Sequence, residues 1–297
     1  MRSSFHLSPA RGFTLIELLV VIGIIGLLAG MILSATAKAM TAAHRVREIN
    51  AARNLITAYT LAANDNNDEL LPGYDLGAAD ITLPDGTKLS PQVVSERYPF
   101  RLAAYFSYQM DGTILVNDNK NQIEKIAPTG SGLHNYLISV FPALGINSYF
   151  VGGEKKAGGP ASYPRDCVTK WSQGNSSLLV FASAGTGTGS DRVDGYFRIT
   201  PPNLKEPIWS SAAWTKETDP GNYGNVDGRY NGKAVCAFLY GGVSLLSIEK
   251  LRDMRLWNKT AFAQDNPAYA DAQWSACNGR KPLQKVSGTG FQPVQFL

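Results

Sequence analysis

One carboxylate, Glu17, stands at the head of an otherwise uncharged apolar run. Leu18 to Leu33 reads LLVVIGIIGLLAGMIL, sixteen residues that grow to about 25 when Phe13 to Ala37 is counted. That length spans a bilayer, which needs roughly 20 residues. A carboxylate within such a helix costs about 2.5–3.5 kcal/mol at the bilayer centre and less near its edge, so Glu17 calls for a partner. Cleavage after Gly12 supplies one. The new α-amine on Phe13 stands four residues before Glu17, one helical turn away on the same face.

Elsewhere the sequence is poor in catalytic constellations. Of its three histidines, His6 precedes the apolar run, His44 follows it closely and only His134 remains, so a histidine-based triad is badly supplied. Gly-x-Ser-x-Gly is absent, and the glycine-rich Gly185–Ser190 lacks the lysine of a phosphate loop, so it reads as a flexible turn. No enzymatic activity is expected. Oxygen-rich clusters at Asp65–Glu69 and Asn117–Asn121 are the candidates for calcium, but neither has EF-hand spacing or its central glycine, and solvated loops are expected instead. No cofactor or metal is assigned. Cys167, Cys236 and Cys277 form no C-x-x-C pair. Cys236 lies in an apolar run and reads as core, which leaves Cys167 with Cys277 as the disulfide to test in an exported domain. The five tryptophans, Trp171, Trp209, Trp214, Trp257 and Trp274, form either core or an aromatic binding face, with core expected. The net charge of +4 falls to about +2 without Arg2 and Arg11, and no nucleic-acid partner is expected.

Arg11, Gly12 and the following FTLIELLVVIGIIGLLAG resemble the class III signal of type IV pilins and of the pseudopilins of type II secretion. The resemblance implies that a prepilin peptidase cuts after Gly12 and methylates Phe13, and that Glu17, at the fifth mature position, meets the amine of a neighbouring subunit during assembly. The family's frequent proline at the twenty-second mature position is Ser34 here, which removes the basis for local helix melting there. A second resemblance, to large pilin-like proteins ending in a His-x9-Asp-Gly signature, rests on RYNGKAVCAFLYGGV from Arg229 to Val243. Arg229, Asn231, Gly232, Phe238, Gly241 and Val243 match, whereas Tyr230, Tyr240 and Gly242 replace the polar positions.

Two cues point elsewhere. Arg2 and Arg11, with Ala35-Thr36-Ala37 or Ala37-Lys38-Ala39 as a small-residue site, also fit a conventional cleaved secretory signal, although Glu17 fits an h-region poorly. Lys38, Arg45, Arg47 and Arg53 outnumber the arginines before the run and favour the reverse orientation by the positive-inside count.

The elements that must carry these residues follow. Ile32, Ala35, Ala39, Ala42, Val46, Ile49, Ile56, Tyr59 and Ala63 recur at helical spacing, which predicts one helix from Phe13 to Ala63, about 75 Å long. The sequence divides into a leader (1–12), a transmembrane and assembly helix (13–37), its amphipathic continuation (38–64), an irregular insertion (65–174) and an antiparallel head with tail (175–297). Strands are expected at Ser177–Ala182 and Gly195–Ile199, paired with each other, and at Ala234–Leu239 and Val243–Ser247 as a hairpin, followed by a helix from Ile248 to Leu256 with Ser247 as N-cap. The fold class is α+β, with the stem's C-terminal half laid on an antiparallel sheet. The expected function is a structural subunit of a type IV pilus or pseudopilus, anchored in a bacterial inner membrane with a periplasmic head. Its partners would be other pilin-like subunits, the prepilin peptidase and the assembly platform. The alternative is a membrane-tethered exported binding module or enzyme.

Overall fold

The computed structural model describes residues 14–89, 94–155, 167–202, 208–259 and 261. Contacts divide the chain into two units, Met1–His44 and Arg45–Leu297. A single helix, α1 (Leu15–Asp65), runs through both. Its sequence carries no proline. Thr36, Thr41, Thr57 and Thr60 turn their hydroxyls back onto carbonyls four residues earlier, so these polar side chains are satisfied without leaving the helix. It ends as the polar stretch after Ala63 predicts. Asn67 and Asp68 enter the left-handed region (φ 54 and 73), and the Asp68 N–H returns to Ala63 O at 2.9 Å.

Within the first unit every large apolar side chain from Leu15 to Leu33 is 44–79 % exposed. In the second unit α1 buries Glu48, Ala51, Ala52, Leu55, Ile56, Tyr59, Ala62 and Ala63, a stripe at steps of three and four residues. Tyr59 sets its ring edge-on to Phe181 at 5.6 Å and donates its hydroxyl to Leu71 O at 2.9 Å. Each fully buried Leu or Ile of this stripe contributes about 1.5–3 kcal/mol.

The stripe packs with a four-stranded antiparallel sheet of order β4–β6–β7–β8, comprising β4 (Leu144–Ile146), β6 (Leu179–Ser183), β7 (Lys233–Phe238) and β8 (Val243–Ser247). β7 shows the alternation that a two-sided sheet demands. Val235 and Ala237 join the cluster containing the stem stripe, while Ala234 and Cys236 join a second cluster around Trp209, Tyr223 and Trp257. Gly241 closes the β7–β8 hairpin at φ 86, a conformation that suits glycine. Around this core lie α2 (Tyr98–Leu102), α3 (Asp118–Ile126), α4 (Gly132–Val140) and three two-residue strands, β1 (Tyr74–Asp75), β2 (Ile81–Thr82) and β3 (Lys88–Leu89). β1 runs parallel to β5 (Glu154–Lys155), and β2 is antiparallel to β3.

This is a long apolar N-terminal helix followed by an α+β region with antiparallel sheets, as in a pilin-like fold. Two local expectations are corrected. Gly195–Ile199 is not a strand beside β6, because β4 and β7 already occupy both edges of β6. The segment lies along β4 instead, with Phe197 O accepting from Ile146 N and Ile199 N donating to Ile146 O, both at 3.0 Å. The helix expected over Ile248–Leu256 is two 3₁₀ turns, Lys250–Arg252 and Met254–Leu256. Ser247 Oγ accepts from the Lys250 N–H at 3.2 Å, but the N-cap of the first turn is Glu249 and not Ser247, and Asp253 then accepts from the Arg255 N–H at 3.0 Å and starts a new turn rather than continuing the old one.

Candidate functional site

Gly12 and Phe13 lie outside the described residues, and Glu17 is the described member of the expected processing and assembly site. Its carboxylate has a local partner. Glu17 Oε2 accepts from the Thr14 N–H at 2.9 Å and from the Thr14 hydroxyl at 2.8 Å, while the Glu17 N–H donates to Thr14 Oγ1 at 3.2 Å. This reciprocal pair is a capping box. It satisfies amide donors that have no partner within the helix and sets a carboxylate at the positive end of the helix dipole. Thr-x-x-Glu was legible as its own signal at positions 14–17, beside the amine expected at Phe13. Among the described residues nothing engages Glu17 Oε1, so the carboxylate caps its own helix and still presents an oxygen outward.

The second charged site lies wholly in the Arg45–Leu297 unit. Glu48, fully buried, accepts from the Ser183 hydroxyl through Oε1 (2.5 Å) and from the Tyr230 hydroxyl through Oε2 (2.5 Å), with Arg229 Nη1 3.7 Å from Oε2. Ser183 in turn accepts from the Val235 N–H at 2.8 Å. Arg229 also meets buried Asp227 at 3.2 Å and donates to the carbonyls of Asp194 and Ala184. Arg192 bridges Asp227 (2.6 Å) and Asp194 (3.0 Å). Burial works against the Arg229 charge, but the carboxylates of Glu48, Asp227 and Asp194 outweigh it and raise its pKa. Burial first, and then the Glu48 charge, pushes Tyr230 up, so it remains a neutral donor. Such a network ties the rotation and register of a helix to the sheet that holds its partners. Glu48 sits three and four residues before Ala51 and Ala52, and this position on the apolar face is the signal that marks it as buried.

The two tyrosines of the Arg229–Val243 phrase part company. Tyr230 makes a polar contact, donating its hydroxyl to Glu48. Tyr240 is half exposed at the hairpin turn, edge-on to Trp171 at 5.3 Å. Trp209 and Trp257 are buried against one another at 5.8 Å, as core, and Trp274 lies outside the described residues. Cys236 is buried, as expected. Cys167 is half-buried with its thiol pushed up to about 12 by burial, and Cys277 lies outside the described residues, as does any Cys167–Cys277 bond.

The oxygen clusters are put to structural use. Asp68 accepts from the Ser172 hydroxyl and N–H, and Asn119 is buried with its amide on Phe141 O at 2.8 Å. Among the described residues no three His, Cys, Asp or Glu side chains converge as metal ligands.

Residues 7–33 match the family model of the prokaryotic N-terminal methylation motif, so the chain carries a type IV pilin-like prepilin signal. That signal and the long apolar helix fit a membrane-anchored, exported, pilin-like protein. Comparison with curated proteins and with solved structures gave no match.

Proposed function

We propose that this chain is a structural, non-catalytic subunit of a type IV pilus or type II secretion-like pseudopilus. A prepilin peptidase cuts it between Gly12 and Phe13 and methylates Phe13. The subunit is then stored in the inner membrane with its head in the periplasm and drawn by an assembly platform into a filament of pilin-like subunits. The observation that carries this reading is the methylation motif at residues 7–33, set on a helix whose large apolar side chains from Leu15 to Leu33 are all exposed.

A helix of this kind requires lipid or other copies of itself, since its burial in water would otherwise go unmet. Glu17 then supplies selectivity. With Oε2 committed to Thr14, its charge remains available to the α-amine of a neighbouring Phe13, and in an apolar bundle one such pair fixes the axial register of adjacent helices. Replacing Gly12 with Val should block cleavage. Glu17→Ala should be cleaved normally but yield few or no filaments, as read by the mass of the mature chain and by the sheared filament fraction. Normal filaments from both variants would overturn the reading.

A further inference from the structure

We propose that the head holds a binding site for a small apolar amine carrying a carbonyl group, in the cavity between α2, α3, α4 and the β2–β3 turn. The site lies wholly within the Arg45–Leu297 unit and does not depend on how the stem assembles. The cavity has a volume of about 430 Å³, inside the range of roughly 300–1,000 Å³ typical of small-ligand sites. Its walls are chiefly apolar. Phe100 of α2, Ile138 of α4 and Leu115 are buried, and Leu83 and Met110 partly so. Tyr108 and Met110 reach the cavity from a chain reversal in which Ser107 and Tyr108 both hold positive φ (55 and 58), a conformation uncommon in a tyrosine. Such walls take a compact aromatic or branched aliphatic body, whose removal from water supplies most of the affinity.

One polar group in the wall lacks a partner. Ser131 caps α4 by accepting from the His134 N–H at 3.1 Å, which fixes His134 in the first turn. The ring's Nδ1 accepts from the Gly130 N–H at 3.3 Å, so the neutral imidazole carries its proton on Nε2, and burial disfavours the charged ring. His134 is buried, and its Nε2 has no hydrogen-bond partner among the described residues. A buried donor left unpaired is costly, and a carbonyl oxygen seated in the cavity removes that cost. Charge defines the rest of the ligand. Three carboxylates, Asp85, Asp111 and Glu124, line the cavity with one ammonium, Lys120, which lies 2.6 Å from Asp111 and 4.0 Å from Glu124. Asp85 accepts from the Thr87 N–H at 2.9 Å, a bond that lowers its pKa, and it enters no ion pair among the described residues. An ammonium on the ligand meets that charge, whereas an anionic ligand is repelled.

The test is fluorine NMR of ring-fluorinated phenylalanine amide, which joins an aromatic body, a carbonyl and an ammonium. It is added to the full-length chain in phosphatidylcholine nanodiscs, with empty nanodiscs as the blank. The probe's resonance should broaden saturably when the chain is present. His134→Phe keeps a ring but loses the N–H, and should weaken binding by up to about tenfold. Asp85→Asn keeps an acceptor for Thr87 but loses the charge, and should weaken binding about two- to fivefold. Fluorinated phenethylamine, which lacks the carbonyl, should bind the wild type more weakly by the His134 factor and be indifferent to His134→Phe, a coupling that a merely structural change in the head would not produce. Leu83→Trp, on the partly exposed turn, should fill the cavity and abolish the broadening while the head keeps its melting temperature. No saturable broadening at millimolar probe, or undiminished binding in any of the three variants, would overturn the proposal, as would equal binding of the uncharged N-acetylated probe. If His134→Phe fails to fold, Asp85→Asn and the two probes without the carbonyl or the charge decide the same question on the wild-type fold.

Discussion

The two halves of the stem helix each carry one carboxylate in an apolar setting, and the chain treats them oppositely. Glu17 is exposed, bonded among the described residues to Thr14 three residues away, and followed by exposed leucines and isoleucines. Glu48 is buried and meets its hydroxyl and guanidinium partners on Ser183, Tyr230 and Arg229, far along the chain. The apolar face around Glu48 is completed by the protein's own sheet. Around Glu17 the apolar side chains are exposed, and on the proposed function they are covered by lipid or neighbouring subunits. A helix of uniform appearance thus holds one half whose apolar side chains are buried in the head and one half whose apolar side chains are exposed.

Mutations test that division by acting on one half and not the other. The largest effect on folding is expected from Glu48→Ala, which leaves the Ser183 and Tyr230 hydroxyls without their buried acceptor and takes one carboxylate from buried Arg229, and should cost about 3–5 kcal/mol in denaturant unfolding. An effect below about 1 kcal/mol would mean that the network is not buried as described. Next, Leu55→Ala should cost about 2–5 kcal/mol through the cavity it leaves, while Leu27→Ala should leave the unfolding of the head unchanged. Equal effects would erase the distinction between the halves. Tyr230→Phe removes one hydrogen bond to a charged acceptor and should cost about 1.5–3 kcal/mol without altering the fold.

A smaller, pH-dependent effect belongs to His134. Burial holds its imidazole below the ordinary value, and the Gly130 N–H donates to Nδ1 at 3.3 Å, which requires an unprotonated nitrogen. The unfolded chain therefore takes up the proton first, near pH 6.5, and the head should lose stability as pH falls from there through the depressed pKa. His134→Gln should flatten the melting-temperature profile in that window, and an unchanged slope would exclude His134 as its source. Smallest of all, Thr14→Ala should fray the first turn, speeding amide exchange at residues 15–17 while leaving the unfolding midpoint of the head where it was.

Much of this division is written in the sequence at short range. The stem, the Ala234–Ser247 hairpin and the core placement of Trp209, Trp257 and Cys236 follow from periodicity, turn residues and apolar runs. What escaped were effects decided by distant parts of the chain. Gly195–Ile199 has strand-like composition, yet its bonds go to β4 because β7, forty residues later, takes the free edge of β6. Ile248–Leu256 reads as helix until Asp253 is seen to cap a turn of its own. Glu48 looks like one more stem charge among Lys38, Arg45, Arg47 and Arg53, and only its phase with Ala51, Ala52 and Leu55 separates it from them. The Thr14–Glu17 capping box was available locally but overshadowed by the amine that cleavage would create.

The central claim is that the exposed half of the stem is completed by other pilin-like helices, and photo-crosslinking in cells addresses it directly. A crosslinking amino acid placed at Leu19 should give a ladder of multimers joined through the stem, and the ladder should collapse in Glu17→Ala although that variant is still processed at Phe13. A processed chain, present at normal levels, that crosslinks only to lipid in both backgrounds would contradict the account.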